Sequence, residues 1–483
     1  MKKNSIKINY IYNVSYQILL ILIPLITTPY ISRVLGASVI GAYSYAESIA
    51  TYFVLFATMG ITYYGQREIA YLQDDREKRT KLFWETKIFT IIIVTIALLL
   101  YIGFCFLGAK PLLYYVLAIN ILNVAFDVTW LFQGMEDFGS ITLVNAIFKA
   151  LNVVYIFVFV KNSSDVVIYA VGLSGLTIIG NAILWLKLRK YIDKPCFKGI
   201  NPFRNVRVII SLFIPTIAIQ VYTVLDKTML GIITADDAQN GYYDQALRLS
   251  RTALTLVTAL GTVMVPRVGY HHSRKEDDIV RKLMYRGYNF VWFLGVPICF
   301  GLIGVAGNVV PWFYGNGYDE VVPLLGILSF LILAIGINNV TGIQYLIPTE
   351  RQNVFTFTVI IGAVVNFVMN LLLIPVLQAR GAAIASVIAE TVIAITQLII
   401  VRKEISICKV FACSWKYLVS GGIMYGILHL EQSYFVPSVF YTLVMILSGM
   451  AVYVIALWIL RDEMLLFNGR ILINKLRGNH QDE

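Results

Sequence analysis

Long apolar runs, separated by short polar tips, occupy almost the whole chain, and each run is long enough to cross a membrane. About 20 predominantly apolar residues suffice for a transmembrane α-helix. Such runs lie at approximately 10–32, 39–61, 83–107, 111–132, 138–160, 166–188 and 207–233. Seven more follow at approximately 239–265, 286–313, 321–347, 353–376, 381–401, 415–430 and 436–460. The pattern predicts an all-α polytopic membrane protein with 14 spans. The runs are continuous, without the dyad alternation in ~10-residue segments of a membrane β-barrel, so that architecture is excluded. The longer polar segments are 62–82, 187–206, 266–286, 402–416 and 461–483.

Composition agrees. Apolar residues make up 58% of the 483, and charged residues 14%, against ~25% in a soluble domain. With a mean hydropathy of +0.74, this rules out both a soluble enzyme and a disordered chain. The net charge of +11 is an orientation signal here and not a nucleic-acid footprint. With the N-terminus inside, about 30 of the 39 Lys and Arg fall on the inner side. Four (Arg33, Lys110, Lys161 and Arg380) fall on outer tips, and the rest lie within spans. One miscounted span would scramble that asymmetry. Both termini are therefore expected in the cytoplasm, with the protein in the cytoplasmic membrane. Met1-Lys2-Lys3 could begin a signal peptide, but the run through Ile31 has no small-residue cleavage site, so it reads as a retained first span. Five scattered cysteines and four histidines form neither a disulfide framework nor a metal-ligand cluster.

Two cytoplasmic segments, 66–72 and 267–283, have amphipathic patterns suited to the head-group interface. A weak internal repeat also emerges. Leu35-Gly36 is followed by Gly41-Ala42-Tyr43-Ser44-Tyr45-Ala46, and Leu230-Gly231 by Gly241-Tyr242-Tyr243-Asp244-Gln245-Ala246, so Gly-x-Tyr-x-x-Ala recurs after 200 residues. Glu136 and Asn152 are echoed by Glu350 and Asn366, each 214 residues on. The copies are six spans apart and share orientation, which predicts a parallel repeat about an axis along the membrane normal. The expected organisation is an N-terminal lobe (1–190, spans 1–6), a cytoplasmic linker (191–206), a C-terminal lobe (207–403, spans 7–12), and spans 13–14 with a cytoplasmic tail (404–483).

Ionisable groups at bilayer depth are costly and mark candidate chemistry. At 1.5 Å per residue, Arg248 lies ~13 Å and Arg251 ~18 Å into span 8, and Lys149 ~16 Å into span 5. Arg33 and Lys227 lie near the outer ends of spans 1 and 7. These five cations are candidates to line one cavity, with Asp244, four residues before Arg248, as a competing helical partner. The acids at depth are Glu47, Asp127, Asp226 and Glu390, candidates for ion coupling or for pairing with the cations. Lys87, near the cytoplasmic start of span 3, is expected to snorkel. Pro24, Pro29, Pro215 and Pro297 are expected to bend spans 1, 7 and 9. There is no catalytic constellation, no metal-ligand set and no phosphate-binding glycine loop, so no cofactor and no ATP use are expected.

Pro29-Tyr30-Ile31-Ser32-Arg33-Val34-Leu35-Gly36, Gly41 to Ala46 and Tyr64-Gly65-Gln66-Arg67-Glu68-Ile69-Ala70 resemble the N-terminal region of Wzx-type polysaccharide flippases. Trp130 to Glu136 and Gln220 to Lys227 look like further segments of that family. The resemblance covers most of the chain and implies the multidrug/oligosaccharidyl-lipid/polysaccharide exporter superfamily. It implies a MATE-like fold of two six-helix lobes around a central cavity plus two C-terminal helices. It implies a transporter, not an enzyme, that moves an undecaprenyl-pyrophosphate-linked oligosaccharide to the outer leaflet for capsule, exopolysaccharide or O-antigen assembly, alongside a polysaccharide polymerase and assembly proteins. Cationic cavity residues would hold the anionic glycolipid, a role that Arg251, Arg248, Lys149, Lys227 and Arg33 fit by position. Two other readings stand beside it: a Na⁺- or H⁺-coupled multidrug or organic-cation antiporter of the same fold, and a membrane glycosyl-transferring enzyme or polymerase. The last needs a sizeable outer loop, and in this chain the outer tips are short.

Overall fold

The computed structural model describes residues 6–194, 199–412 and 414–466, and only the backbone at 6–21, 212, 214–219, 221–222, 262 and 263. Pro195, Cys196, Cys413 and the C-terminal tail, on which the sequence reading also drew, lie outside the described residues. The architecture is almost wholly helical. The helices are α1 (Ile6–Thr58), α2 (Ile61–Tyr71), α3 (Arg76–Leu107), α4 (Leu112–Phe126), α5 (Thr129–Gly134), α6 (Phe138–Phe159), α7 (Val166–Leu186) and α8 (Val206–Thr234). They continue as α9 (Asp237–Thr258), α10 (Gly261–Ser273), α11 (Asp277–Tyr314), α12 (Val321–Leu328), α13 (Leu331–Asn338) and α14 (Gln352–Val401). The last are α15 (Ile407–Phe411), α16 (Ser414–Tyr434) and α17 (Val439–Ile459). A π-helical segment, Asn339–Leu346, extends α13.

Among the described residues, nine helical stretches are long and apolar enough to cross a membrane. Two of them, Leu22–Tyr71 and Gln352–Val401, have 50 residues each. At 1.5 Å per residue that is ~75 Å, more than twice a ~30 Å hydrocarbon core. Leu22–Tyr71 is broken at Gly36 and again at Met59–Gly60, where α1 gives way to α2, and Gln352–Val401 is broken once. Gly36 interrupts α1 at φ 77° and ψ 165°, a conformation a side chain would resist, and Gln378 interrupts α14 at φ 51° and ψ −128°. The breaks at Gly36 and Gln378 fall between the expected spans 1 and 2, and 11 and 12. Pro24 and Pro29, in contrast, sit inside α1 without interrupting it.

The chain forms two compact units, Met1–Gly241 and Tyr242–Glu483. In the first, one core gathers Ile61, Tyr64, Ile69, Phe83, Trp130 and Phe132, and a second gathers Ala46, Ala50, Ala97, Tyr101, Leu117 and Ala170. Helix α2 is amphipathic as expected, burying Ile61, Tyr64, Gly65 and Ile69 while Tyr63 and Tyr71 are exposed. The core of the second unit runs through Met284, Tyr288, Trp292, Ile332, Leu398 and Met424.

Segments expected on one side of the membrane meet within each unit. In the first, Arg76 pairs with Asp193 at 2.9 Å, and the buried Arg79 donates to the carbonyls of Tyr191, Leu72 and Gln73 at 2.6–3.0 Å. At the opposite end Tyr30 Oη donates to the Val160 carbonyl at 2.7 Å. In the second, Arg380 and Glu320 pair at 2.9 Å, and Arg351 and Glu404 at 2.7 Å.

The repeat is visible in local geometry. Glu136 and Glu350 both adopt the left-handed conformation, at φ 57° and 61°. The same bonds close both turns: Asp137 N to Phe132 O and Arg351 N to Leu346 O, each 2.8 Å. The 214-residue offset also carries Asp137 onto Arg351 and Lys190 onto Glu404. Both positions form an ion pair, with the charges exchanged: Lys190 Nζ lies 3.4 Å from Asp137 Oδ2, and Arg351 grips Glu404. A tyrosine completes each. Tyr191 Oη donates to Asp137 Oδ2 and Tyr345 Oη to Glu404 Oε2, both at 2.6 Å.

Burial alone would raise the Asp137 carboxyl, but bonds from Tyr191 and Ser140 and the nearby Lys190 outweigh it and hold the group below the usual carboxylate range. The same balance, with Arg351 and Tyr345 as donors, lowers Glu404. A lowered folded-state carboxyl stabilises at neutral pH, and that contribution is lost as pH falls through its folded value. Asp137 also caps α6 through Ser140 N. Asp137→Ala should therefore cost about 1–2 kcal/mol through the lost cap and pair. Glu404→Ala should cost about 1 kcal/mol or less, because that pair is half exposed. Thermal unfolding of the purified variants checks this, and a larger loss for Glu404→Ala contradicts it.

Candidate functional site

Helix α9 occupies the place of the eighth expected span but differs from an ordinary one. One face buries Tyr243, Ala246, Leu247, Ser250 and Val257. The opposite side carries Arg248, Arg251 and Thr255, all exposed, at helical spacing i, i+3 and i+7. Arg248 Nε binds the buried Asp244 Oδ2 at 2.6 Å, so the competing partner expected from the sequence is engaged. The Arg248 side chain is still 48% exposed. Among the described residues Arg251 has no ionic or hydrogen-bonded partner. Were α9 to span the bilayer as the sequence leads one to expect, such a cation would be costly against acyl chains and its face would require protein or water beside it.

A second arrangement lies within the first unit. Helices α5, α6 and α7 enclose a cavity of about 300 Å³ that both Asp127 and Lys149 line. Two of the sequence candidates are thus brought together. Asp127 ends α4, and its Oδ1 accepts from Thr129 N at 2.8 Å and Thr129 Oγ1 at 2.7 Å. Lys149 projects from α6 between Asn145 and Asn152, which also line the cavity, and has no ion pair among the described residues. Asn152 Oδ1 is buried without a hydrogen-bond partner. The polar lining was missed at the sequence level apart from Lys149 and Asp127. The signal was there: Asn145, Lys149 and Asn152 follow i, i+4, i+7 through an otherwise apolar run.

Lys87 corrects the sequence reading. It does not snorkel. It is fully buried, donates from Nζ to the Asp127 carbonyl at 2.8 Å and lies 5.3 Å from the Trp185 ring centre. The Asp127 carbonyl is a free acceptor because α4 ends there, and this inward partner replaces the solvent Lys87 would otherwise seek.

The remaining candidates sit on α1, α8 and α14. Arg33 is exposed on α1, three residues before the Gly36 break. Glu47 accepts from Tyr43 Oη at 3.0 Å. Asp226 is buried on α8, and the carbonyl of Lys227 accepts from Asn240 Nδ2 at 3.0 Å. Helix α8 packs on α1 through Thr228 Oγ1, which donates to Ser48 Oγ at 2.9 Å. In the second unit the buried Glu390 accepts from Asn338 Nδ2 at 3.1 Å. No group of His, Cys, Asp and Glu able to hold a metal occurs among the described residues.

Residues 6–272, more than half of the chain, match the family model described as polysaccharide biosynthesis protein. The chain belongs to the polysaccharide biosynthesis protein family. A second model, Lipid II flippase MurJ, matches residues 150–446 of this family member. It is 24% identical over 411 residues to the "Putative O-antigen transporter" of Escherichia coli (strain K12), covering 83% of this chain and 98% of that one. The structure of "Lipid II flippase MurJ, inward closed conformation" superposes with a TM-score of 0.75 at 16% identity, covering 95% of this chain and 99% of that one. An inward-facing multidrug resistance MATE family transporter superposes at 0.57 with 12% identity, covering 84% and 98%. The fold of this polysaccharide biosynthesis protein is therefore the MATE-like all-α membrane fold that its sequence led us to expect.

Proposed function

We propose that the protein is a flippase, not an enzyme, and that it carries an undecaprenyl-pyrophosphate-linked oligosaccharide across the cytoplasmic membrane for polysaccharide assembly. The family match and the transporter and flippase relatives support the class. The observation that carries the reading is the face of α9, where Arg248 and Arg251 stand exposed at a span position. The lipid tail stays in the bilayer during flipping, so only the head group needs a path, and its phosphates need cations along it. Guanidinium suits phosphate oxygens because its fork binds them bidentately. Arg33 and Lys227 would extend that path, while Lys149, beside Asp127 in the cavity of α5, α6 and α7, would meet the head group away from its phosphates. Glu47, Asp127, Asp226 and Glu390 are the candidates for coupling the movement to Na⁺ or H⁺.

The accompanying organisation is two six-span lobes, 1–190 and 207–403, joined by 191–206, with two further spans at the C-terminal end. That makes 14 spans with both termini cytoplasmic. The meeting of like-sided segments inside each unit supports it. Reporter fusions at Lys194 and Asp277 should read cytoplasmic and one at Asn316 external; a cytoplasmic signal at Asn316 sinks the topology. The flippase itself is tested by restoring polysaccharide export in a host whose own flippase gene is deleted. Failure to restore export with any lipid-linked glycan, together with Na⁺- or H⁺-driven uptake of a cationic dye by vesicles, would favour the antiporter.

A further inference from the structure

The cavity between α5, α6 and α7 has features that a packed helical bundle does not need. Its stripe Asn145, Lys149, Asn152 lies on the side of α6 opposite Leu143, Ile147, Leu151 and Val154, which are exposed apolar residues. The polar side thus points away from the face suited to lipid. The internal repeat supplies a control. At the 214-residue offset the stripe corresponds to Val359, Ala363 and Asn366. Val359 is buried, and the buried Asn366 Oδ1 accepts from Asn370 Nδ2 at 3.1 Å. The same architectural position is therefore mostly apolar in one half of the chain, and its asparagine oxygen is bonded there. In the other it is open, with the Asn152 oxygen unmatched and Lys149 without an ion pair among the described residues.

The chemistry of the lining limits what could enter. Lys149 and Asp127 balance, so the cavity has no net charge to recruit a pyrophosphate. Amides at Asn145, Asn152 and Asn181 and the hydroxyl of Thr177 offer donors and acceptors together, and Phe148 offers a ring. At about 300 Å³ the space is at the lower end of small-molecule pockets, which suits one ring with several hydroxyls. Gly180 keeps it open, since a Cβ there would come within 3.2 Å of the Phe148 ring. We propose that this cavity is a subsite for an uncharged, hydroxyl-rich sugar ring of the transported head group, built from residues other than the arginines of α9. The proposal rests on the reading of the protein as a glycolipid flippase.

The test is saturation-transfer difference NMR on the full chain in lipid nanodiscs, with N-acetylglucosamine and galactose as probes. At least one sugar should give a signal above empty nanodiscs. Asn152→Leu should lower it about two- to tenfold, the loss of one hydrogen bond. Gly180→Val, which drives the Phe148 ring into the cavity, should do the same, and Thr177→Val provides a milder variant if either fails to fold. Inorganic pyrophosphate should not displace the sugar. The proposal is overturned if neither sugar gives a signal, if folded variants keep the full signal, or if pyrophosphate competes. Loss of export in Arg251→Ala with no sugar signal from the unaltered protein would leave the flippase standing and remove the subsite.

Discussion

Arg251→Ala should cut polysaccharide export by about ten- to a hundredfold, the loss expected on removing a charged hydrogen-bonding partner worth about 1.5–3 kcal/mol. The variant should still fold and insert, because Arg251 is exposed and has no partner to strand among the described residues. Arg251→Lys keeps the charge but loses the planar fork, so it should restore export only in part. Arg248→Ala should act differently. It takes from Asp244, a carboxylate with 2% side-chain exposure, its guanidinium, and removing one member of a buried pair destabilises. Its export loss should therefore come with a lower unfolding temperature. Export assays beside thermal unfolding separate the two residues. Normal export from a folded Arg248→Ala, Arg251→Ala double variant would exclude this face from the substrate path.

The helices were legible from hydrophobic runs because bilayer thickness dictates their length. The breaks were less so. The 53-residue α1 and the 50-residue α14 divide at Gly36 and Gln378, near the polar tips that the sequence set between spans, and Pro24 and Pro29 lie inside α1. A Pro near the start of a turn costs one hydrogen bond, but a left-handed residue reverses the chain's course. The repeat was legible as sequence echoes, yet its strongest form was not. The pairs Asp137–Lys190 and Arg351–Glu404 share positions with opposite charges, and a search for identical residues passes over an exchange of charge. Lys149 and Asp127 were picked out by depth alone. That they line one cavity follows from the packing of α5, α6 and α7, which sequence spacing does not show. Lys87 was misplaced because depth along a helix says nothing about which neighbour lies beside it.

Gly41→Ala and Gly241→Ala should each destabilise the folded protein by more than the addition of a single methyl usually does. The two glycines open the repeated Gly-x-Tyr-x-x-Ala segments, and in the structure they meet where α1 crosses the start of α9. A Cβ on Gly41 would lie 1.6 Å from the Asp237 carbonyl oxygen and 2.8 Å from Gly241 N, and one on Gly241 would lie 2.0 Å from the Ala37 oxygen. Every one of these obstacles is backbone, which cannot rotate aside as a side chain can. The helices would have to separate along their contact. Overpacking typically costs about 1–3 kcal/mol and occasionally more, and a clash with backbone belongs at the upper end. Gly175 and Gly422 provide controls, since nothing lies within 4 Å of a Cβ at either. There alanine should be neutral or slightly stabilising, by up to about 1 kcal/mol from helix propensity. The double variant Gly41→Ala, Gly241→Ala should cost less than the sum of the singles, because the first methyl already separates the helices the second would push apart. Thermal unfolding and the yield of monodisperse protein read out all five variants. Unchanged stability in both single variants would show that α1 and α9 do not approach this closely.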